Sequence, residues 1–263
     1  MVLKDVQNER DARNIYLKRV GVKGVRYPVV VLDRAQGTQA TIATINMYVD
    51  LPKDYRGTHM SRFIEVLNEF HLEINPKRVK DILNRLKDVL NAKRAVIEVE
   101  FPYFVKKQAP VTKSESYLEY TCSFEAEIFD GKFDFLTSVL VPIHTLCPCS
   151  KEISERGAHN QRALCKVSFE SKEMIWIEDI IEVVEKSASA PIFTLLKRPD
   201  EKYVTELAYD NPKFVEDVAR DVAIELKKYD KIKWYKVEVE SYESIHAHNA
   251  YACVTSDELE EQI

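Results

Sequence analysis

The sequence predicts an α+β fold made of two similar modules, each with the order ββααββ and an antiparallel sheet. Two observations lead to this prediction. Strand-favouring segments occur in pairs separated by short turns, and two such pairs enclose two segments with apolar residues at helical spacing. This order occurs twice, with the change near Asp130-Gly131, so the expected modules are residues 1–130 and 131–263.

The first module has four expected strands around two expected helices. The strands are 24–33, 38–50, 94–104 and 115–129. The first helix covers residues 58–71, with Thr58 as its N-cap. The second helix begins at Asn75-Pro76, because asparagine is a favoured N-cap and proline is accepted in the first turn.

The second module repeats this arrangement. Its expected strands are 131–146, 161–170, 233–242 and 249–255. One helix is predicted at 176–187, and another begins at Asn211-Pro212, the same dipeptide that opens the long helix of the first module. Between these helices lies an irregular segment, 187–210, and long irregular segments in compact domains are often functional.

The open sheet edges of such modules predict an assembly. Exposed edges pair readily with another chain. Two modules side by side, joined edge to edge with other copies, would close their sheets into a barrel. We therefore expect a barrel-type homo-oligomer with functional sites between subunits.

The composition, 45% hydrophobic and 31% charged, is that of a globular protein. The net charge of −5 argues against a nucleic-acid-binding protein, which normally carries a basic surface. No apolar segment has the length of a membrane span or of a signal-peptide core, so a cytoplasmic location without membrane contact is expected. The five cysteines predict no disulfide framework, and Cys122, Cys165 and Cys253 are expected to be buried in strands.

Cys147 and Cys149 differ from the other cysteines because only Pro148 separates them, directly after an expected strand. Thiolates act as metal ligands and as nucleophiles. We expect one of the two to be a ligand and the other a proton-transfer residue or nucleophile. The alternative is that both are small buried residues, since free cysteine is among the most buried residue types.

Three histidines extend this group. His159 lies twelve residues after Cys147 in a polar segment, and His246 and His248 lie between the last two expected strands. In an extended segment the latter two point to the same side, which suits metal binding and proton transfer, although a solvated turn is the alternative. A catalytic metal site has three protein ligands and an open position, and Cys147, His159 and either Glu201 or His246 would provide them.

A basic segment opens the first expected helix. It contains Arg56, His59 and Arg62. The N–H groups and the dipole of a helix N-terminus favour an anion, so these residues are candidates for binding an anionic substrate. The alternative is a capped helix with solvated basic side chains.

Five segments carry a family resemblance. They are Arg56-Gly-Thr-His-Met-Ser-Arg62, Cys147-Pro-Cys149-Ser-Lys-Glu, Gly157-Ala-His159-Asn-Gln-Arg162, Asn211-Pro-Lys-Phe-Val-Glu216-Asp217 and His246-Ala-His248. As a set they resemble the signature of the prokaryotic type IB GTP cyclohydrolases. The similarity runs from about residue 20 to residue 255, nearly the whole chain, and the set is highly specific.

This resemblance implies a tunnelling fold, a homotetramer and hydrolysis of GTP to 7,8-dihydroneopterin triphosphate and formate, at the start of folate and related pterin synthesis. It also implies a divalent metal ion, zinc or manganese, with iron as a further option. By motif, the implied metal ligands are Cys147, His159, Glu201 and His246. The implied substrate and proton-transfer residues are Glu216 as purine anchor, Cys149 and His248 for protons, and Arg56, His59 and Arg62 for binding.

Three alternatives stay open from the sequence. The archaeal branch of the family converts GTP to a cyclic phosphate of dihydroneopterin, usually with iron. The nitrile reductase of queuosine synthesis shares the fold but uses a cysteine nucleophile and NADPH. A non-enzymatic metal-binding or thiol-redox protein would bind a metal ion without turning over any purine.

Overall fold

The computed structural model describes Gln7, residues 9–70 and residues 73–260. Within these residues the chain forms nine strands and seven helices, and the predicted α+β class is confirmed. The strands are β1 (Leu17–Asp33), β2 (Gly37–Leu51), β3 (Arg94–Gln108), β4 (Glu115–Phe129), β5 (Lys132–Leu146), β6 (Asn160–Ser171), β7 (Ala190–Pro191), β8 (Ile232–Ser241) and β9 (Ala250–Thr255). The helices are α1 (Ser61–Glu69), α2 (Pro76–Leu90), α3 (Pro148–Ile153), α4 (Ile177–Ser187), α5 (Arg198–Asp210), α6 (Val215–Leu226) and α7 (Ser256–Glu260).

Hydrogen bonding connects the strands in the order β1-β2-β3-β4-β5-β6-β8-β9, and the short β7 pairs with β5. The pairings of β1 with β2, β2 with β3, β5 with β6, β6 with β8 and β8 with β9 are antiparallel. Short turns connect β1 to β2, β3 to β4 and β4 to β5, whereas helices lie in the connections from β2 to β3 and from β6 to β8. The predicted antiparallel sheet is therefore confirmed.

The chain has two compact units. One comprises the residues up to Pro102 together with Ser123–Leu136, and the other comprises Tyr103–Cys122 together with the residues from Thr137 onward. The long strands β3, β4 and β5 contribute residues to both units. The proposed module boundary at residues 130 and 131 falls in the turn between β4 and β5, and the division into two repeated modules stays a prediction.

In the first unit, β2 and α2 show how the sequence pattern builds the core. Between residues 43 and 49 every second residue of β2 is buried: Ala43, Ile45, Met47 and Val49. The side chains of α2 at helical spacing are also buried: Val79, Ile82, Leu83 and Leu86. Asn75 caps α2 as predicted, since its side chain accepts the Arg78 N–H at 3.0 Å.

The start of α1 differs from the prediction. The helix begins at Ser61, and Met60 rather than Thr58 is the N-cap, without a side-chain hydrogen bond. The Arg62 N–H donates to the His59 carbonyl oxygen (3.2 Å) and the Phe63 N–H to the Met60 carbonyl oxygen (3.3 Å). These short-range backbone bonds occupy N–H groups that a hydroxyl cap or an anion would otherwise use.

In the second unit, α6 begins at Val215 and not at Asn211. Asn211 instead ends α5, and its side chain donates to the carbonyl oxygens of Ala188 and Ser189. The predicted apolar stripe of α6 is confirmed: Val215, Val218, Val222 and Leu226 are buried. The Asn-Pro dipeptide thus opens a helix in the first half of the chain only, and this parallel between the modules was wrong.

The segment predicted to be irregular, 187–210, contains β7 and the 13-residue helix α5. Helix α5 has little apolar periodicity that would predict it, because only Asp200 and Ala208 of this helix are buried. The prediction that Cys253 is buried was also wrong, since this residue is exposed on β9. Cys122 and Cys165 are buried as expected. Burial raises the pKa of both of these thiols.

Among the described residues, no helix is long and apolar enough to cross a membrane.

A buried ion pair links β3 to α4 in the second unit. The Lys107 Nζ donates to Glu185 Oε1 (2.6 Å) and to the Ile192 carbonyl oxygen (2.9 Å), and the Tyr120 hydroxyl donates to the same Glu185 oxygen (2.8 Å). Only 11% of the Lys107 side chain and 16% of the Glu185 side chain is exposed. Burial lowers the pKa of Lys107, and the nearby Glu185 carboxylate offsets part of that change.

We predict that Lys107→Met destabilises the protein by about 3–5 kcal/mol, because Glu185 would keep its buried charge without a cationic partner. Lys106→Met is the matched control on the same strand, since Lys106 forms an ion pair with Glu115 in which about half of each side chain is exposed. Chemical denaturation should show little change for the control. Equal loss of stability in both variants would contradict a role for the buried pair.

Candidate active site

The end of β5 and the start of β6 place Cys147 beside His159. The last residue pair of these antiparallel strands is Leu146 with Asn160. One step further, the Cys147 N–H donates to the His159 carbonyl oxygen (3.1 Å). Two residues twelve positions apart are thus adjacent, because the chain leaves β5, forms the short helix α3 and returns into β6.

Ser150 keeps this corner closed. Its hydroxyl donates to the Cys147 carbonyl oxygen (3.2 Å) and accepts the His159 N–H (3.1 Å). Its own N–H donates to Cys147 Sγ at 3.4 Å, so the Cys147 side chain caps α3 and the sulfur is held in place. Cys147 is half-buried, whereas Cys149 is exposed on α3.

His246 and His248 lie in the connection between β8 and β9. The backbone there is bent rather than extended, yet the two rings stack with centroids 5.1 Å apart and an interplanar angle of 21°. The His246 ring also meets the His159 ring edge to face, with centroids 6.5 Å apart. The imidazole rings of His159, His246 and His248 therefore form one group, although they come from two different connections between strands.

Glu216 lies in the first turn of α6. The start of this helix is fixed to the end of β5, because the Lys213 N–H donates to the Leu146 carbonyl oxygen (3.1 Å). The Asp217 carboxylate accepts the Phe214 N–H (2.9 Å) and satisfies a donor at the helix N-terminus. The Glu216 side chain remains exposed and has the freedom to accept hydrogen bonds from a ligand.

These elements enclose a cavity of about 250 Å³ in the second unit. Its wall contains five of the residues that the sequence singled out: Cys147, His159, Glu216, His246 and His248. Thiol, imidazole and carboxylate groups thus face one space, although they come from β5, β6, α6 and the connection between β8 and β9. Such a combination can bind a metal ion, transfer protons and accept hydrogen bonds from a polar ligand edge.

The other predicted site residues lie elsewhere. Cys149 and Glu201 are exposed on α3 and α5 and are not part of the cavity wall. Arg56, His59 and Arg62 belong to the first unit. There the Arg56 guanidinium forms an ion pair with Glu9 (2.6 Å), and Arg62 Nη1 donates to the Val89 carbonyl oxygen (2.8 Å). The substrate-binding role of this basic segment stays a prediction.

Asp200, the neighbour of Glu201, fixes the start of α5. This fully buried carboxylate accepts the N–H groups of Val111 and Thr112, the Thr112 hydroxyl and the Lys197 N–H, at 2.7–3.0 Å. Burial alone would raise the pKa of Asp200, but the hydrogen bonds from Thr112, Lys197 and Val111 hold it well below its usual value. The hydrogen bonds of Asp200 thus hold in place the first turn of α5, which carries Glu201.

Sequence reasoning missed a hydrogen-bonded network next to His159. The His159 Nδ1 is 3.0 Å from Gln161 Oε1, and Gln161 Nε2 donates to Glu243 Oε1 (3.3 Å) and Thr145 Oγ1 (3.4 Å). The Ser241 hydroxyl donates to the same Glu243 oxygen (2.9 Å). One signal was available, since Gln161 lies two residues after His159 at a strand start and so shares its side of the sheet.

The donors in the cavity fit a divalent metal ion by type. A thiol and imidazoles suit zinc, and a carboxylate broadens the choice toward manganese or iron. In the described part of the chain, however, no three His, Cys, Asp or Glu side chains are grouped closely enough to hold an ion by themselves. A complete ligand set therefore requires a movement of these side chains or a further ligand from outside the cavity.

Known proteins resemble this chain along nearly its whole length. The family model described as type I GTP cyclohydrolase folE2 matches residues 3–252. The GTP cyclohydrolase FolE2 of Fervidobacterium nodosum is 80% identical over 98% of this chain and 99% of its own length. The proteins of the same name from Thermosipho africanus and Thermotoga maritima are 65% and 54% identical, over 98% and 96% of this chain and 100% and 96% of their own lengths.

Solved structures show the fold. Uricase from Arthrobacter globiformis aligns with a TM-score of 0.54 at 7% sequence identity, over 90% of this chain and 92% of that one. A hyperthermostable mutant of the uricase gives a TM-score of 0.52, again at 7% identity and over 91% of both chains. At such low identity the similarity concerns the fold alone, and it confirms the predicted tunnelling fold. With the five motifs, four of them represented in one cavity wall, the chain belongs to the type I GTP cyclohydrolase FolE2 family.

Proposed function

We propose that this chain hydrolyses GTP to 7,8-dihydroneopterin triphosphate and formate, the first step of folate and related pterin synthesis in the cytoplasm. One observation carries the proposal within a chain of this family: Cys147, His159, Glu216, His246 and His248 share the wall of one cavity. A nitrile reductase that uses a cysteine nucleophile and NADPH would not need the His246/His248 pair together with a metal ion.

Glu216 is the proposed purine anchor. Its carboxylate is exposed on the cavity wall at the start of α6, a helix whose position is fixed against β5. A carboxylate can accept two hydrogen bonds from the N–H groups of a guanine edge. Adenine presents a different edge, so one Glu216 oxygen would face another acceptor or no donor at all. The same contact would therefore select GTP over ATP.

Of the stacked pair, His248 is the proposed proton-transfer residue, and His246 is a proposed metal ligand. Opening the imidazole ring of the purine requires a proton on the leaving ring nitrogen, and release of formate requires a second hydrolysis. His248 is suited to this task because it lies on the cavity wall and its ring is held against His246. Cys149 is exposed outside the cavity wall, so its proposed part in proton transfer requires a substrate that extends past the cavity.

Cys147, His159 and His246, together with Glu201, are the proposed ligands of a zinc or manganese ion, with iron as a further option. Such an ion, when bound, would supply an activated water for attack on purine C8, which is a poor electrophile. The protein orients the ligands: Ser150 holds Cys147, and Gln161 holds the His159 ring. Glu201 lies outside the cavity wall, so its contribution requires a different arrangement from the one seen in a single chain.

The proposed active assembly is a homotetramer in which each site is built from more than one subunit. A cavity of about 250 Å³ is smaller than the roughly 300–1,000 Å³ of most small-molecule sites. Strands β1 and β9 are the terminal strands of the hydrogen-bonded order, and pairing through such an edge uses backbone groups. Sheet edges of this kind favour pairing with other copies.

We predict that metal-loaded protein incubated with GTP forms a fluorescent pterin after oxidation, with the mass expected for the linear triphosphate. Chelation should abolish turnover, and Zn²⁺ or Mn²⁺ should restore it. A product with the mass of the cyclic phosphate would assign the archaeal type of reaction instead. Full activity after removal of all metal would contradict metal dependence.

Three single cysteine variants separate the proposed roles. We predict that Cys147→Ala loses bound metal and activity, because a ligand is removed, whereas Cys149→Ala keeps the metal and loses activity. Cys253→Ala is the matched control, since Cys253 is exposed on β9 outside the cavity wall. Metal content by elemental analysis and turnover should both be measured. Unchanged metal occupancy in Cys147→Ala would reassign that cysteine to the structure of the corner.

Light scattering should give the mass of four chains in solution, with activity lost on dilution to single chains. The expected dissociation follows from a site that one chain does not complete. A fully active monomer would contradict the shared site, but would leave the assignment of the reaction to the product assay above.

For Glu216→Gln we predict a loss of roughly 1–3 kcal/mol in GTP recognition, because one acceptor becomes a donor that faces a guanine donor. Fold and metal content should survive, since the side chain is exposed. Glu225→Gln, near the other end of α6, is the matched control and should behave as the unchanged protein. Steady-state kinetics for GTP decide the matter: unchanged kcat/KM in Glu216→Gln would remove this residue from the site.

A further inference from the structure

The orientation of the Gln161 amide can be deduced from its neighbours. Its Nε2 lies 3.3 Å from Glu243 Oε1 and 3.4 Å from Thr145 Oγ1, and its Oε1 lies 3.0 Å from His159 Nδ1. A carboxylate only accepts hydrogen bonds, so the NH₂ group must face Glu243. The Ser244 hydroxyl, 3.4 Å from Gln161 Oε1, is also placed to donate to that oxygen.

The position of Glu243 is itself fixed. The Ser241 hydroxyl donates to Glu243 Oε1 at 2.9 Å, and only 12% of the Glu243 side chain is exposed. A flipped Gln161 amide would place a carbonyl oxygen against this carboxylate and its NH₂ group against His159. The network therefore permits one amide orientation, in which Oε1 accepts from the His159 ring.

We infer that Gln161, oriented by Glu243 and Thr145, is a positioning residue that keeps the His159 ring in the tautomer with its proton on Nδ1. In a neutral imidazole the other nitrogen, Nε2, then carries the lone pair. Within the described part of the chain, Nε2 has no hydrogen-bond partner, and the ring lies on the cavity wall. His159 is thus prepared to bind a metal ion through Nε2 before any ion arrives.

The network differs from the direct contact of a histidine with a carboxylate that many metal sites use. The nearest Glu243 oxygen is 3.8 Å from His159 Nδ1, too far for a hydrogen bond but close enough for an electrostatic interaction. Gln161 Oε1, at 3.0 Å, is therefore the hydrogen-bond acceptor for the Nδ1 proton, and the Glu243 charge favours a proton at the same nitrogen. Glu243 also orients the amide, because it accepts a hydrogen bond from Gln161 Nε2 (3.3 Å).

This inference rests on the proposed role of His159 as a metal ligand, but its first test does not. The protein contains six histidines, so selective ¹⁵N labelling of histidine gives six rings to resolve. In metal-free protein, at a pH where the rings are neutral, the ¹⁵N shifts of the His159 ring should show a proton on Nδ1. A proton on Nε2, or an even mixture of both tautomers, would overturn the inference whether or not any variant folds.

The second test compares two glutamine variants. Gln161→Met keeps a side chain of similar length and removes the amide, so His159 should lose its tautomer preference and the dissociation constant for Zn²⁺ should rise roughly 10–100-fold. Gln108→Met is the matched control, because Gln108 Nε2 donates to Glu115 Oε1 at the same 3.3 Å on an exposed surface. Competition with a chelator measures both constants, and circular dichroism checks the fold.

The outcomes separate this inference from the proposed function. A folded Gln161→Met protein with unchanged zinc affinity and unchanged His159 tautomer would overturn it. High zinc concentration should restore metal occupancy in Gln161→Met if the residue only positions the ligand. Failure of the unchanged protein to bind zinc, manganese or iron would contradict the proposed metal site, and the His159 tautomer in the metal-free protein would still support or overturn the role of Gln161.

Discussion

The register of β6 between β5 and β8 is the constraint on which the site depends. Residues of β6 with odd numbers point to the core, where Ala163, Cys165 and Val167 are fully buried. The same alternation carries His159 and Gln161 to that side of the sheet. A shift of one residue would turn the whole row to the opposite face, so the register that buries the core also aims the site residues.

The neighbouring strands change from apolar to polar at the same end. In β5 the inward row runs from Ile143 to Thr145 and then to Cys147, and in β8 it runs from Val239 to Ser241. Thr145 pairs with Gln161 across the strands. The cavity is thus a continuation of the core beyond its apolar part, and its polar groups satisfy one another's hydrogen bonds, as a partly buried position requires.

This arrangement explains what the sequence could and could not predict. Most strands and the helices α2 and α4 have strong apolar periodicity, because they bury one face, and they were predicted closely. For α6 the apolar stripe was predicted correctly, but the start was not. Helix α5 has no such stripe, since hydrogen bonds of Asp200 to the connection between β3 and β4 hold its start. Asn211 has the pattern of a helix start, but tertiary contacts of its side chain with Ala188 and Ser189 make it a helix end.

The sequence predicted the reactive residues of the site but not the residues that position them through hydrogen bonds. Cysteines and histidines can be recognised as candidates from their residue type, and the family motifs assign them to one site. Thr145, Gln161 and Ser241 are ordinary strand residues in the sequence, and they become a network only through the cross-strand register. Such relations depend on which residues face each other across two pairs of strands, and local patterns in one sequence do not contain that information.

The charges in the cavity show which end of a nucleotide it suits. Of the described residues in its wall, Lys213 alone is a lysine or arginine, and its Nζ is paired with Asp221 at 2.5 Å. Glu216 and Glu243 add carboxylates to the same wall. Apart from a bound metal ion, a triphosphate placed there would meet carboxylates and a lysine that is already paired, whereas the N–H groups of a guanine edge would find acceptors. The charges of this wall therefore support the proposed contact with the purine rather than with the phosphates.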